Sequence, residues 1–207
     1  AVIKVMLCDD HALIRRGIRD TLSDANDIEV VGEAGDYGEL RALMRGAGCD
    51  VLVLDINLPG RSGLDVLHVL KDEGSPVKVL VVSMYPEDQY AIRALRAGAY
   101  GYVNKGGDPQ QIVQAVRTVA QGRKFVTPEI AQMLVESLTT PAPEHAHDKL
   151  SDRELQTLVM IASGKRLSDI AEELTLSPKT VSVYRARVLE KLGLQNNSEL
   201  TVYAIRN

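Results

Sequence analysis

The chain has 207 residues, 45% of them hydrophobic and 25% charged, with 24 basic and 28 acidic side chains and a net charge of −4. That length allows one large domain or two small ones, and the composition is that of an ordinary globular protein, not a disordered or fibrous one. The longest apolar runs fall far short of a membrane span and no charged-then-apolar leader precedes the first strand, so no membrane anchor is expected and the cytoplasm is the default compartment.

Val2–Cys8 reads as a first strand running into Asp9 and Asp10. Leu13, Ile14, Gly17, Ile18 and Leu22 then mark one helical face. A short second strand, Glu29–Gly32, precedes a helix marked by Leu40, Leu43 and Met44. The third strand, Val51–Leu54, is four consecutive apolar residues ending in Asp55, with a Pro59-Gly60 turn beyond and a helix through Leu64, Val66, Leu67 and Leu70. Val77–Val82 runs into Ser83, with Ala91, Ile92 and Leu95 in the next helix. Tyr100–Val103 runs into Asn104 and Lys105, followed by a helix through Ile112, Val113, Val116 and Val119. Five βα units predict an α/β fold with a doubly wound, five-stranded parallel sheet, right-handed crossovers and strand order 2-1-3-4-5, as in flavodoxin-like folds.

Pro128–Leu138 predicts one more helix. Residues 139–147 lack periodicity and hold two prolines, so they read as a linker in which His145 and His147 are solvated. An all-helical segment follows. Ser151 caps its first helix with Glu154 three residues on, Gly164 ends it, Leu167–Leu174 is a second helix, Pro178–Leu192 a third, and a fourth opens at Ser198. The expected domains are therefore 1–122, a helix and linker over 123–147, and 148–207. Charge is shared unevenly: residues 149–207 carry nine basic and seven acidic side chains, a net of +2, which leaves 15 and 21, a net of −6, in the rest. The acidic part suits a cation site and the basic part is compatible with nucleic acid. Cys8 and Cys49 do not fit a disulfide framework, and Cys8 is expected to pack as a small hydrophobe.

Ligands of open parallel sheets bind at the carboxyl ends of the strands, which is where Asp9, Asp10, Asp55, Ser83 and Lys105 fall. Three carboxylates sharing one rim supply hard oxygen ligands suited to Mg²⁺, and without a cation they repel, raising at least one pKa. Each residue alone has an ordinary reading: a helix cap for Asp9-Asp10 and for Ser83, a turn-initiating Asp55, a surface Lys105. Their recurrence at strand ends favours a site.

Residues 2–122 resemble the receiver domain of bacterial two-component response regulators, on Asp9-Asp10, Asp55 with Asn57, Leu58, Pro59 and Gly63, then Ser83, Tyr102 and Lys105. The resemblance implies that Asp55 accepts a phosphoryl group from a sensor histidine kinase. It implies that Asp10, Asp55 and the backbone carbonyl of Asn57 bind Mg²⁺ with Asp9 acting at least through water, and that Lys105 stabilises phosphoryl charge. It also implies that Ser83 turns inward to the acyl phosphate and that Tyr102 follows. Two departures from the family are Gly106-Gly107 after the lysine, where proline is common, and Met84 after Ser83, where a small residue is common.

Leu167–Ala186 has the layout of a helix-turn-helix, with Val181, Val188 and Leu192 as the inward stripe of the second helix and Lys179, Ser182, Val183, Ala186 and Arg187 on or beside the opposite face. The tail resembles the LuxR-type DNA-binding domain, and the whole chain the NarL/FixJ class of response regulators, on Leu150-Ser151, Arg153-Glu154, Gly164, Ile170-Ala171, Leu176-Ser177, Lys179-Thr180-Val181 and Lys191-Leu192. The resemblance places Lys179 and Thr180 on phosphates and Ser182, Val183 and Ala186 at base edges. Arg185 falls on the inward stripe, where an ion pair with Glu154 is expected.

The sequence thus reads as a phosphorylation-activated, DNA-binding transcriptional regulator and not an enzyme beyond its own phosphoryl transfer and slow dephosphorylation. Its expected partners are a sensor histidine kinase, promoter DNA, RNA polymerase and a second copy of itself, a symmetric dimer reading half-sites about 10 base pairs apart. Two other readings stay open: a Mg²⁺-dependent phosphohydrolase with an aspartyl-phosphate intermediate, and a receiver that binds DNA without phosphorylation.

Overall fold

Five apolar runs become five strands: β1 (Ile3–Cys8), β2 (Ile28–Ala34), β3 (Val51–Asp55), β4 (Lys78–Ser83) and β5 (Gly101–Asn104). All pair in parallel, in the order β2-β1-β3-β4-β5. These are the α/β class and the strand order expected from the sequence. The structure is a computed structural model and describes residues 1–84, 87–139 and 146–206. The chain divides into two units, Ala1–Thr140 and Pro141–Asn207.

Every residue of β3 is buried, so this strand has no solvent face. Helices α1 (Ala12–Ser23) and α5 (Pro109–Ala120) pack Ile18, Leu22, Ile112, Val113, Val116 and Val119 onto Val5, Leu7, Val51, Val53, Leu80, Val82 and Val103. The alternation of strand side chains and the crossover rule leave the opposite face to α2 (Tyr37–Gly46), α3 (Gly63–Asp72) and α4 (Glu87–Arg96). Asp36 caps α2 by accepting from Glu39, and Ser62 and Asp65 form a capping box at α3. Two of the residues expected on the inner face of α1 point outward: Leu13 is 83% exposed and Gly17 is exposed. Ile14, Ile18 and Leu22, four apart, form the actual inward stripe, and Leu13 falls beside it.

After α5 the chain returns along the open side of β5. Gly101 and Phe125 form a parallel bridge, in which the Phe125 amide donates to the Tyr100 carbonyl (2.9 Å) and the Tyr102 amide to the Phe125 carbonyl (3.2 Å). Gly101 has to be glycine here, because a Cβ would lie 2.9 Å from both the Phe125 carbonyl oxygen and Leu80 Cδ1. Helix α6 (Pro128–Thr139) follows and contacts α4.

The second unit holds a short 3-10 helix (Ala146–Lys149), α7 (Asp152–Ala162), α8 (Leu167–Leu174), α9 (Pro178–Leu192) and α10 (Asn197–Arg206). The Ser151–Glu154 capping box starts α7 as the sequence predicts. Residues 140–145, with most of the expected linker and His145, lie outside the described residues. His147 is not solvated: it is 6% exposed, and its Nδ1 lies 3.2 Å from the Tyr203 hydroxyl. The 3-10 turn brings the imidazole against Tyr203 of α10, edge to face, where the aromatic packing and the polar contact offset its loss of water.

Candidate functional site

The ends of β1, β3 and β5 converge on one acidic pocket. Lys105, one residue past β5, donates from Nζ to Asp9 Oδ2 at 2.5 Å and stands 3.3 Å from Asp55 Oδ2. All three side chains are at most 4% exposed. Burying two carboxylates is tolerable only because an ammonium is buried with them. Asp9 Oδ1 accepts the His11 amide at 2.9 Å, and Asp55 Oδ1 accepts the Asn57 amide at 3.1 Å. Asp10 lies at the rim, 22% exposed, with its Oδ1 3.0 Å from His11 Nδ1.

Ligand atoms of Asp9, Asp10, His11 and Asp55 all lie within 4.8 Å of one another, close enough to hold one metal ion. Asp10 Oδ1 and Asp55 Oδ2 are buried and accept no well-aligned hydrogen bond, although each has a nitrogen in ion-pair range, His11 Nδ1 and Lys105 Nζ respectively. Oxygens in that state are what a hard divalent cation satisfies, so the residues fit such an ion. Burial drives the Asp55 pKa up to about 7, aided by the Asp9 and Asp10 charges and opposed by Lys105 and the Asn57 amide. The Asp10 carboxyl also rises, through burial and the charge on Asp9 against the pull of His11 and Lys105.

The loop beyond Asp55 is fixed by Gly63, whose amide donates to the Ile56 carbonyl at 2.8 Å. Ser83 ends β4 fully buried, and its carbonyl accepts the Lys105 amide at 2.8 Å. Tyr102 pairs in register with Val81, two residues before Ser83, so both side chains leave the sheet on one face. The Tyr102 ring is fully enclosed in this structure. Two residues at the site were not singled out from the sequence. His11 joins the acidic set, and Arg15 of α1 reaches back to donate to the Asp9 carbonyl at 2.5 Å.

In the second unit, α8 and α9 form the helix-turn-helix. Thr175 takes a left-handed conformation at the turn (φ 54°) and Ser177 caps α9. Lys179, Ser182, Val183, Ala186 and Arg187 form one exposed face of α9, opposite buried Val181 and Val188. Thr180 is half-buried, its hydroxyl 2.8 Å from Ser177 Oγ. Arg185 does not pair with Glu154. Lys191 occupies that carboxylate at 2.6 Å, while Arg185 Nε donates to Asn197 Oδ1 at 2.6 Å. The inward stripe of α9 is narrow, so Arg185 sits at its edge and leans toward the start of α10 instead of beneath α7.

Residues 5–117 match the response regulator receiver domain family, and residues 148–204 match the luxR family of bacterial regulatory proteins. The chain is a two-component response regulator of the NarL/FixJ class. The response regulator UvrY of Escherichia coli K12 is 38% identical over 207 residues, covering all of this chain and 95% of that protein. The response regulator GacA of Pseudomonas aeruginosa is 38% identical, covering all of this chain and 97% of that one. A LuxR-family response regulator of Aurantimonas sp. SI85-9A1 superposes with a TM-score of 0.62 at 34% identity, over 68% of this chain and all of that one. RcsB of Salmonella enterica serovar Typhimurium, bound to promoter rprA in the presence of the phosphomimetic BeF3−, superposes with a TM-score of 0.66 at 25% identity, over 98% of each chain. Receiver and LuxR-type domain together make this response regulator a phosphorylation-activated transcription regulator. Among the described residues, no helix is long and apolar enough to cross a membrane.

Proposed function

We propose that Asp55 is the phosphoacceptor, that Mg²⁺ is the resident cation, and that phosphorylation promotes dimerisation and promoter binding. The observation that carries this reading is the buried trio of Asp55, Lys105 and Asp9, with a buried oxygen on Asp55 and another on Asp10 that accept no well-aligned hydrogen bond. Asp10, Asp55 and the Asn57 carbonyl hold the cation, with Asp9 and water completing the set. When bound, Mg²⁺ neutralises charge on the phosphoryl oxygens.

The residues of this chain do the rest. An Asp55 carboxylate oxygen forms the new O–P bond as the P–N bond to the kinase histidine breaks, and the nitrogen keeps the electron pair. The Asn57 amide fixes the other Asp55 oxygen. Lys105, already 3.3 Å from Asp55, pairs with the equatorial phosphoryl charge. Phosphorylation adds about −1.5 to −2 charge and three acceptor oxygens, and Ser83 and Lys105 answer it by moving toward the new group. Tyr102 follows on the same face of the sheet.

The chain acts on its own phosphoryl group only and turns over no external substrate. In the second unit Lys179 and Thr180 hold phosphates, Arg187 flanks them, and Ser182, Val183 and Ala186 meet base edges in the major groove. One helix-turn-helix reads one half-site, so the active form is a homodimer on promoter DNA that engages RNA polymerase. The DNA-bound dimers of RcsB support this arrangement. Helices α4, α5 and α10 are the candidate dimer surfaces, with Val202 and Ile205 exposed on α10. A sensor histidine kinase is the donor, and the cytoplasm the compartment in which kinase and promoter both lie.

The test combines labelling with binding. A small acyl-phosphate donor with Mg²⁺ labels the wild-type chain and raises its operator affinity, and Asp55→Asn abolishes both effects. Label retained in Asp55→Asn rules out the assigned acceptor. Multiple turnover on phosphate esters would instead favour a phosphohydrolase.

A further inference from the structure

We propose that Arg15 is a positioning residue for the cation site, and that Glu33 is its anchor. The proposal rests on the reading of the acidic pocket given above. Arg15 lies in the second turn of α1, and helix side chains point back toward the helix N-terminus. Its guanidinium therefore returns over the β1–α1 junction, where Nη1 donates to the backbone carbonyl of Asp9 at 2.5 Å.

That contact completes the restraint of Asp9. Its amide donates to the Ala34 carbonyl (3.0 Å), Oδ1 accepts the His11 amide (2.9 Å), and Oδ2 accepts Lys105 (2.5 Å). The carbonyl is the remaining polar group, and it belongs to the peptide that leads into Asp10. Orienting that peptide orients the Asp10 carboxylate toward Asp55.

Arg15 is itself held. Its Nε donates to Glu33 Oε1 at 3.3 Å, and Glu33 Oε2 accepts Arg19 Nη1 at 3.0 Å. Glu33 lies in β2, in register with Leu7 of β1. Arg15 and Glu33 are only 21% and 27% exposed, which limits the loss of this network to solvent.

Coulomb's law and positioning predict opposite signs. A guanidinium near a divalent site repels the ion, so by charge alone its removal tightens Mg²⁺ binding. If Arg15 instead holds the ligand-bearing loop, its removal weakens binding by about tenfold or more, as loss of outer-shell partners does.

The test is calorimetric titration of the full chain with Mg²⁺, with no phosphodonor. Arg15→Met keeps the aliphatic stem and loses both donor and charge; Arg15→Lys keeps the charge and one donor. The expected result is a Kd about tenfold weaker in Arg15→Met, an intermediate value in Arg15→Lys, and a metal-free thermal transition close to wild type in both. A Kd in Arg15→Met equal to or tighter than wild type overturns the proposal while leaving the acidic site intact. A Kd in Arg15→Lys as weak as in Arg15→Met overturns it too. Should Arg15→Met not fold, Arg15→Lys decides alone: binding weakened by less than about tenfold supports the proposal, and wild-type binding or a larger loss overturns it. A wild-type chain that takes up no Mg²⁺ defeats the reading of the pocket itself, and the two failures are thereby told apart.

Discussion

Gly63 lies against the backbone of Asp55 so closely that a Cβ on it would come within 2.5 Å of the Asp55 carbonyl oxygen and 2.8 Å of Ile56 Cα. Both contacts are with backbone, so no rotamer change relieves them. The first turn of α3 is thus seated directly on the strand end that carries Asp55.

Gly63→Ala should therefore destabilise the first unit by about 1–3 kcal/mol, as overpacking does, and reduce phosphoryl uptake at Asp55. Gly60 is the control. It has φ +77° but nothing within 4 Å of a Cβ, so Gly60→Ala should cost only about 1 kcal/mol of backbone strain and leave labelling nearly intact. Thermal denaturation and phosphoryl labelling of both variants check this. Equal effects at the two positions would contradict it.

The raised pKa of Asp55, about 7, carries a pH signature. Only the carboxylate is nucleophilic, so labelling by a small donor at limiting cation should fall as pH drops below that value. Stability moves the other way. The folded pKa lies above the unfolded one near 4, so the Asp55 contribution is fully present at pH below 4 and is lost as pH rises through about 7. Metal-free protein should lose stability across that window relative to Asp55→Asn, and saturating Mg²⁺ should restore it. Melting curves at several pH values, with chelator or with Mg²⁺, measure both effects.

In the second unit the pair to break is Lys191–Glu154. Burial pushes the Glu154 carboxyl up, but the Lys191 hydrogen bond and charge and the Ser151 contacts outweigh it, and its pKa lies below the usual carboxylate range. This depressed value stabilises the fold above the unfolded pKa near 4.5, and the contribution is lost as pH falls through the folded value. Lys191→Met should cost about 1–3 kcal/mol in urea denaturation at neutral pH and weaken the acid dependence. Arg185→Ala, which loses a contact with Asn197 at the surface, should cost less than about 1 kcal/mol.

Arg187→Ala should weaken binding to all DNA sequences alike and lower the slope of log affinity against log salt by about 1. Ala186→Arg adds a group able to read guanine and should change sequence preference instead. Binding isotherms on matched and mismatched duplexes at several salt concentrations separate the two outcomes.

The strands, their order and the meeting of Asp9, Asp10, Asp55 and Lys105 were legible because each strand is a short apolar run that stops at a polar residue. Topology then carries those stops to one rim. Leu13 was misread because positions 13 and 14 both fit a helical period, and only the packing of α1 on the sheet separates them. His147 and Arg185 were misread because composition marks a residue as polar without naming the neighbour that encloses it: Tyr203 in one case, Asn197 in the other. Arg15 left a signal that was not used, a basic residue one turn into the helix that follows an acid pair. Phe125, the only phenylalanine in the chain, sits in a stretch too short to show a strand period.

That stretch closes the sheet. The amide of Tyr102 is hydrogen-bonded to Phe125 itself, and α6 begins three residues later. The route out of the receiver thus starts one peptide group from Tyr102, as an extra rung on β5 and not as a slack tether. Gly101→Val would press on both the Phe125 carbonyl and Leu80 of the core, loosening the rung and straining the strand beside it. Labelling at Asp55 should fall less than operator binding does: a chain that still takes the label yet no longer tightens on its operator.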